Sequence, residues 1–262
     1  MPDAGLLFVI FIVLVALAFD FTNGMHDAAN SIATVVSTRV LTPRQAVIWA
    51  AFFNFAAFLI VHTRVAETVG AGLIDISVVR PPVISAALIG AIGWNLFTWY
   101  MGLPTSSSHA LIGGYAGAAV VKAGPGAIIP HGWFKTMLFI FVAPVLGMAL
   151  GVLFITATIW IVRGKHPARI DEAACRLQLL SAALCSLGHG GNDAQKTMGQ
   201  RITKLRPIDG FCVESASAIS IFFATHAGAP VSTTHVITGA VSGVGAAKRM
   251  SAVRWGVTLK IV

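Results

Sequence analysis

The sequence predicts an all-α polytopic membrane protein, and three observations support this fold class. The 262 residues are 56% hydrophobic and only 11% charged, whereas about a quarter of the residues in an ordinary soluble domain are charged. The mean hydropathy is +0.81. A membrane-spanning helix needs about 20 apolar residues, and several long runs contain no charged residue, namely 4–19, 45–61, 81–121, 136–162, 177–192 and 215–247.

Basic residues lie in short loops between these apolar runs. The formal net charge is +8, but the Lys and Arg residues do not gather on one face or one helix, so the charge does not predict nucleic-acid binding. Arg163, Lys165, Arg169 and Arg176 lie between two apolar runs. Short loops rich in Lys and Arg face the cytoplasm, which predicts that the 163–176 loop is cytoplasmic.

A hydroxyl-rich motif occurs twice in the chain. The segment LPTSSSHALIGGYAGAAVVK (103–122) resembles APVSTTHVITGAVSGVGAAK (229–248) at a constant offset of 126. The aligned pairs are Pro104 and Pro230, Ser107 and Thr233, Ser108 and Thr234, His109 and His235, Gly113 and Gly239, Gly117 and Gly243, and Lys122 and Lys248. The glycines in both copies, together with Gly114, are expected to allow close packing of helices.

An acidic motif is also duplicated. NGMHDAANS (23–31) resembles HGGNDAQKT (189–197), and Asp27 aligns with Asp193 at an offset of 166. Each half of the chain therefore carries an acidic motif followed by a hydroxyl motif. Duplicated halves of this kind are common in secondary transporters, whose site lies near the membrane midplane between the repeats. We therefore expect an inverted-repeat transporter fold with two helical hairpins.

The two repeats are expected to differ in length. Residues 1–162 form the predicted first repeat, with the acidic motif at 24–31 and a hydroxyl hairpin tip at 104–109. Residues 163–176 form the basic loop. Residues 177–262 form the predicted second repeat, with its motifs at 190–199 and 230–235. The second repeat is predicted to be shortened, because the two offsets differ by 40 residues, and its final span is expected to be cut as well.

Each hydroxyl motif predicts a break between two helices inside an apolar run. Pro104 and Pro230 disfavour helix in the preceding residue, and Ser or Thr at a helix start caps backbone N–H groups. In the first half, helical legs are expected at 83–100 and 106–121, as two spans or as one span and a re-entrant leg. A helix start at membrane depth offers N–H donors and a partial positive charge to an anion. The hydroxyls that add donors belong to Ser106, Ser107, Ser108, Ser232, Thr233 and Thr234.

The acidic motifs place carboxylates near the predicted anion sites. Asp27 and Asp193 border apolar runs, where ionisable residues are costly and usually functional. A carboxylate there can hold a coupling cation, or it can accept a hydrogen bond from a protonated oxyanion. Phosphate near neutral pH carries such a proton and sulfate does not, so this second role favours phosphate. Asn30 and Asn192 add neutral ligands.

The polar motifs have other interpretations besides an anion-binding site. One polar cluster in a span often serves helix packing, but two matched clusters with matched acids favour a binding site, and they favour alternating access over an open channel. His109 and His235 either orient their neighbours as neutral side chains or carry protons. A hydrolase is not supported, because adjacent helical side chains such as Ser108 and His109 do not face each other. The chain also has no G-x-S-x-G, H-E-x-x-H or Walker-type motif, so we expect no enzyme activity and no resident metal or cofactor.

These four motifs resemble those of the inorganic phosphate transporter (PiT) family, in particular the bacterial low-affinity permeases. The family signature is a duplicated G-A-N-D-like motif, here GMHDAANS and GGNDAQKTMG, with hydroxyl-rich hairpin tips, here PTSSSH and PVSTTH. The resemblance runs over nearly the whole chain. It implies a multi-pass protein of the inner (plasma) membrane, often a homodimer, that imports inorganic phosphate with a proton or sodium gradient. Some bacterial members carry phosphate as a neutral metal–phosphate complex.

The resemblance also implies roles for individual residues. Phosphate would contact the hydroxyl residues of both tips, Ser106, Ser107, Ser108, Ser232, Thr233 and Thr234. The residues that would bind phosphate or the coupling ion are Asp27, Asn30, Asn192 and Asp193. His26, Lys196, His109 and His235 are assigned a proton or charge role.

The sequence departs from the family pattern in three ways. His26 stands where the family motif often has Asn. Lys196 follows Asp193 by three residues, where its ammonium group could occupy the place of a cation, so we expect coupling to protons rather than to sodium. The missing length falls near Gly199 and Gln200. Two alternatives stay open. One is a transporter of another oxyanion such as sulfate. The other, suggested by the missing length, is an inactive, shortened remnant of a phosphate permease.

Overall fold

The computed structural model describes residues 4–60, 72–103, 106–164, 167–192, 206–248, 253 and 255–256. In this part of the chain, the side chains of residues 4, 25–31, 58–60, 167–169 and 189–192 are not described. The described α-helices are α1 (Ala4–Ser37), α2 (Pro43–Ile60), α3 (Pro81–Tyr100), α4 (Ser107–Ala123), α5 (Pro130–Val162), α6 (Pro167–Asn192), α7 (Pro207–His226) and α8 (Thr233–Lys248).

The prediction of an all-α membrane protein is confirmed. None of the described residues belongs to a β-strand, and the β-type pairing among them is an isolated bridge between Ile74 and Ile128. Four stretches of helix are long and apolar enough to cross a membrane: Gly5–Gly24, Pro81–Tyr100, Pro130–Val162 and Pro207–His226. Large apolar side chains on their outer faces, such as Leu14, Phe141 and Trp160, are exposed, as expected for surfaces that contact lipid.

Helices α3 and α4 form a first hairpin, and the helical legs predicted there are confirmed. Pro81 starts α3, where a proline is favourable. At the other end Gly102 has φ +64°, a left-handed conformation that glycine adopts without strain. The N–H groups of Gly102 and Leu103 donate to the carbonyls of Trp99 and Thr98. This pattern, a Schellman motif, closes the end of a helix and turns the chain.

Helices α7 and α8 form a second hairpin with the same turn. Gly228 also has φ +64°, and the N–H groups of Gly228 and Ala229 donate to the carbonyls of Thr225 and Ala224. Each of these residues lies 126 positions after its counterpart in the first hairpin. The repeat seen in the sequence therefore extends to the backbone hydrogen bonds of both tips.

Helix α5 packs closely against α8 through small residues. A Cβ atom placed on Gly239 or Gly243 would overlap the carbonyl oxygens of Pro144 and Met148, which lie on α5. Gly114 of the first hairpin likewise lies against the backbone of α3. The predicted packing role is thus confirmed for these three glycines. It is wrong for Gly113 and Gly117 within the part of the chain that the structure describes, where no heavy atom lies within 4 Å of a Cβ built on either residue.

The second helices of the two hairpins, α4 and α8, point toward opposite ends of α5. Gly147 of α5 lies against Val236, and Gly151 lies against Ala240, so α8 runs parallel to α5 and ends toward the C-terminal end of α5. By contrast, α4 ends at Ala123, and the chain reaches the start of α5 within seven residues. Helices α4 and α8 therefore run from their starts toward opposite ends of α5. The inverted-repeat relation between the two halves of the chain stays a prediction.

Helix α1 connects the two hairpins along its length. In its first half, Phe19 packs on Leu88 and Ala91 of the first hairpin. In its second half, Val35 packs with Ala46 of α2 and Ala182 of α6, and α6 in turn packs against α7. The middle of α1 thus lies where the two hairpins approach each other.

Candidate functional site

The six predicted hydroxyl residues lie at the starts of α4 and α8, and all six are buried. Their exposed fractions range from 0% for Ser107 and Thr233 to 8% for Ser108. The backbone N–H of His109 donates to the Ser106 hydroxyl at 3.2 Å, and that of His235 donates to the Ser232 hydroxyl at 3.4 Å. Ser106 and Ser232 are therefore the N-cap residues of the two helices, as the sequence predicts.

The two hairpin tips meet at a pair of histidines. The ring centroids of His109 and His235 are 5.5 Å apart, and the ring planes are inclined by 54°. Both side chains are half-buried. The Nε2 atom of His109 is buried and has no hydrogen-bond partner among the described residues. The contact brings the starts of α4 and α8 together, which sequence analysis alone did not establish.

The meeting point lies at a similar depth from both hairpin ends. At about 1.5 Å of rise per residue, α4 extends about 21 Å from His109 to Ala123, and α8 extends about 20 Å from His235 to Lys248. Together they span about 40 Å, compared with a hydrocarbon core of about 30 Å. Two helices of these lengths, which run from the tips toward opposite ends of α5, accord with the midplane site expected of a transporter.

Helix α1 supplies a polar side chain to the first tip. The Ser107 hydroxyl donates to the Oδ1 atom of Asn23, and Asn23 is 5% exposed. Asp27 follows Asn23 by one helical turn in α1, so the acidic motif of the first half passes the first tip. Asn23 is not among the predicted site residues, although it is the first residue of the duplicated acidic motif.

Several predicted residues fall outside the described side chains. His26, Asp27 and Asn30 lie in α1, and Asn192 is the last residue of α6, but the description covers only their backbone. Asp193 and Lys196 lie outside the described residues. Their proposed roles therefore stay predictions.

A second polar cluster, centred on Glu214, was also missed. Glu214 of α7 is 3% exposed. Its carboxylate accepts hydrogen bonds from the hydroxyls of Thr34 in α1 and Ser181 in α6, the latter at 2.8 Å. A signal was present in the sequence, because Glu214 is an isolated acid directly before the uncharged run 215–247. The cluster links α1, α6 and α7.

The geometry of the tips suits a small oxyanion. Two helix starts contribute N–H groups and partial positive charge to one place, and buried hydroxyls surround them. The described part of the chain contains no group of three or more His, Cys, Asp or Glu side chains placed to hold a metal ion. The described donors at the tips are neutral, so an anion can be bound there and released again.

A family model and two relatives that match this chain all describe phosphate transporters. The model of the phosphate transporter family matches residues 23–200 and 195–262. The chain is 48% identical to the probable low-affinity inorganic phosphate transporter of Rhizobium meliloti (strain 1021), over 99% of this chain and 92% of that protein. It is 37% identical to the protein of the same description in Bacillus subtilis (strain 168), over the same shares of the two chains.

One solved structure shares the fold. The structure titled "The sodium-dependent phosphate transporter" superposes with a TM-score of 0.85 and covers 97% of this chain and 93% of its own. The sequence identity is 23%, so this similarity concerns the arrangement of helices.

Proposed function

We propose that this chain, which belongs to the phosphate transporter family, imports inorganic phosphate by secondary active transport. The chain is a multi-pass protein of the plasma membrane, and it belongs to a family of transporters rather than of enzymes. The observation that carries the proposal is the contact between His109 and His235. It joins two helix starts, each with three buried hydroxyl residues.

Phosphate binds between the two tips in this proposal. The proposed contacts are the hydroxyl and N–H groups of Ser106, Ser107, Ser108, Ser232, Thr233 and Thr234. Burial strengthens hydrogen bonds to an anion because the surroundings have a low dielectric constant. Hydrogen bonds to a charged group each contribute about 1.5–3 kcal/mol, so a few of them hold phosphate without a fixed guanidinium or ammonium ligand.

The acidic motifs set the coupling in this proposal. Asp27, Asn30, Asn192 and Asp193 bind the coupling ion or accept the proton of hydrogen phosphate. Lys196, three residues after Asp193 in the sequence, supplies a permanent positive charge. This charge favours a proton over sodium as the coupled ion. His26, His109 and His235 are the further groups able to carry a proton. The alternative cargo is a neutral metal–phosphate complex, whose phosphate oxygens would meet the same hydroxyl and N–H donors.

The decisive experiment is uptake of labelled phosphate into proteoliposomes under an imposed proton or sodium gradient. We expect uptake to follow the proton gradient and to be inhibited by arsenate but not by sulfate. Uptake that needs sodium and ignores the pH gradient would contradict proton coupling. Inhibition by sulfate equal to that by arsenate would favour a general oxyanion transporter.

The same experiment tests whether the shortened chain is active. The alignment with the Rhizobium meliloti protein covers 308 positions, although this chain has 262 residues. The two matches to the family model meet at residues 195–200, close to Gly199 and Gln200, where the resemblance to the family places the missing segment. Phosphate binding without uptake in either gradient would favour the inactive remnant. Light scattering of the purified protein would test the proposed homodimer.

A further inference from the structure

A lysine from α5 is bonded to the tip of the second hairpin. Lys135 is the sixth residue of α5 and is half-buried. Its Nζ donates a hydrogen bond of 2.5 Å to the backbone carbonyl of Ala227. Charged side chains in apolar helices are costly and usually have a specific partner or function. Neither the sequence motifs nor the repeat singled out this residue.

Ala227 occupies a particular position at the end of α7. It is the C-cap residue of that helix, and the two N–H groups that follow it bond to the carbonyls of Thr225 and Ala224. The Schellman turn thus satisfies two carbonyls at the end of the helix, and the ammonium of Lys135 binds the C-cap carbonyl. A helix C-terminus carries a partial negative charge of about half an electron.

This negative helix end lies within a few residues of the proposed phosphate contacts. The chain passes from Ala227, at the end of α7, to Thr233, at the start of α8, in six steps. The positive start of α8 attracts an anion, and the negative end of α7 repels it. The charge of Lys135 opposes that repulsion because its Nζ lies directly on the carbonyl end of α7.

We propose that Lys135 is a positioning residue that neutralises the negative end of α7 and so raises the affinity of the second tip for phosphate. This inference rests on the proposed function, in which that tip binds phosphate. Lys135 does not contact the anion in this account. It acts through the field at the tip, so its effect grows with the negative charge of the bound ion. A lysine that served only to tie α5 to the tip would affect every ion equally.

Two neutral variants and one charged variant separate these roles. Lys135→Gln keeps a hydrogen-bond donor without the charge, Lys135→Met keeps the volume of the side chain, and Lys135→Arg keeps the charge. The matched control is Lys122→Gln, which removes one exposed positive charge from the last turn of α4. The proteins would be compared in phosphate uptake and in calorimetric phosphate binding, from mildly acidic to mildly alkaline pH.

We expect the neutral variants to raise KM and Kd by about tenfold, as loss of roughly one helix-dipole interaction predicts, and to leave the maximal rate nearly unchanged. The increase should become larger as the pH rises and phosphate loses its second proton. His131, one turn before Lys135, and His226, directly before Ala227, are the ionisable side chains nearest to this contact in sequence. They are present in every variant, so the ratio of variant to wild type at each pH removes their contribution. Lys135→Arg and Lys122→Gln should resemble the wild type.

Opposite results would overturn the inference. A lower maximal rate with unchanged KM and Kd, or an affinity loss that is the same at every pH, would show that Lys135 is only a tether. If the wild type binds phosphate but does not transport it, the proposed transport fails, and the binding comparison still decides the role of Lys135. Absence of phosphate binding by the wild type would overturn both.

Discussion

At the residue scale, Glu214 shows how the fold accommodates a carboxylate in the membrane. A buried acid costs several kcal/mol unless hydrogen bonds satisfy its oxygens. Thr34 and Ser181 donate to its two carboxylate oxygens from two different helices. Each hydroxyl therefore contributes to the contact between helices as well as to the solvation of Glu214.

Replacing one of these donors should destabilise the protein. We expect Thr34→Val to lower the free energy of unfolding by about 1–2 kcal/mol, because one carboxylate oxygen loses its donor inside the membrane. Thr136→Val is the matched control: Thr136 is also buried, and among the described residues its hydroxyl donates to the carbonyl of Gly132 in its own helix. Thermal unfolding in detergent measures both variants. Equal shifts of the unfolding temperature in Thr34→Val and Thr136→Val would show that the hydrogen bond to Glu214 contributes no more than a bond within one helix.

At the element scale, the position of the second hairpin depends on backbone contact between α5 and α8. Gly239 lies against the carbonyl of Pro144, where α5 contains an internal proline. Small residues let membrane helices approach until their backbones touch. In the most apolar stretch of α7, 67% of the residues are buried, compared with 11% in the first span of α1. The second hairpin, which contains α7, therefore lies in the interior of the helix bundle.

The repeat supplies a matched pair of glycines that tests this packing. Gly239→Ala should cost about 1–3 kcal/mol, because the added methyl group meets backbone that cannot move aside. Gly113→Ala, at the corresponding position of α4, should be neutral or stabilising by up to about 1 kcal/mol. No described residue has a heavy atom within 4 Å of the added methyl group, and alanine favours helix. Unfolding midpoints of the two purified variants decide this. A larger loss for Gly113→Ala would contradict the described packing.

At the scale of the whole molecule, the sequence predicts the helices and their end caps better than the contacts between helices. Composition predicts the membrane helices, and Pro–Ser/Thr chemistry predicts the two breaks. The caps at Ser106 and Ser232 follow from local sequence, because an N-cap bond joins residues only three positions apart.

The remaining features depend on residues that are distant in sequence. Ser107 meets Asn23 across 84 positions, and Lys135 meets Ala227 across 92. The repeat gives no indication of these pairs, because they join unlike parts of the two halves. The same limit explains the glycines: Gly113 and Gly239 match in sequence, but among the described helices α5 packs against Gly239 and none packs against Gly113. Which helix lies beside a motif is a property of the assembled bundle.

The central claim is that the two hairpin tips form one phosphate site. Calorimetric titration of the purified protein with phosphate tests it most directly, together with the variants Ser107→Ala in the first tip and Thr233→Ala in the second. We predict one phosphate per chain, and an increase of about tenfold in Kd for either variant. Ser107→Ala removes the hydroxyl that bonds Asn23 to the first tip, and Thr233→Ala removes a hydroxyl donor on the other side of the same anion. Two phosphates per chain, with each variant weakening only one of them, would contradict the account.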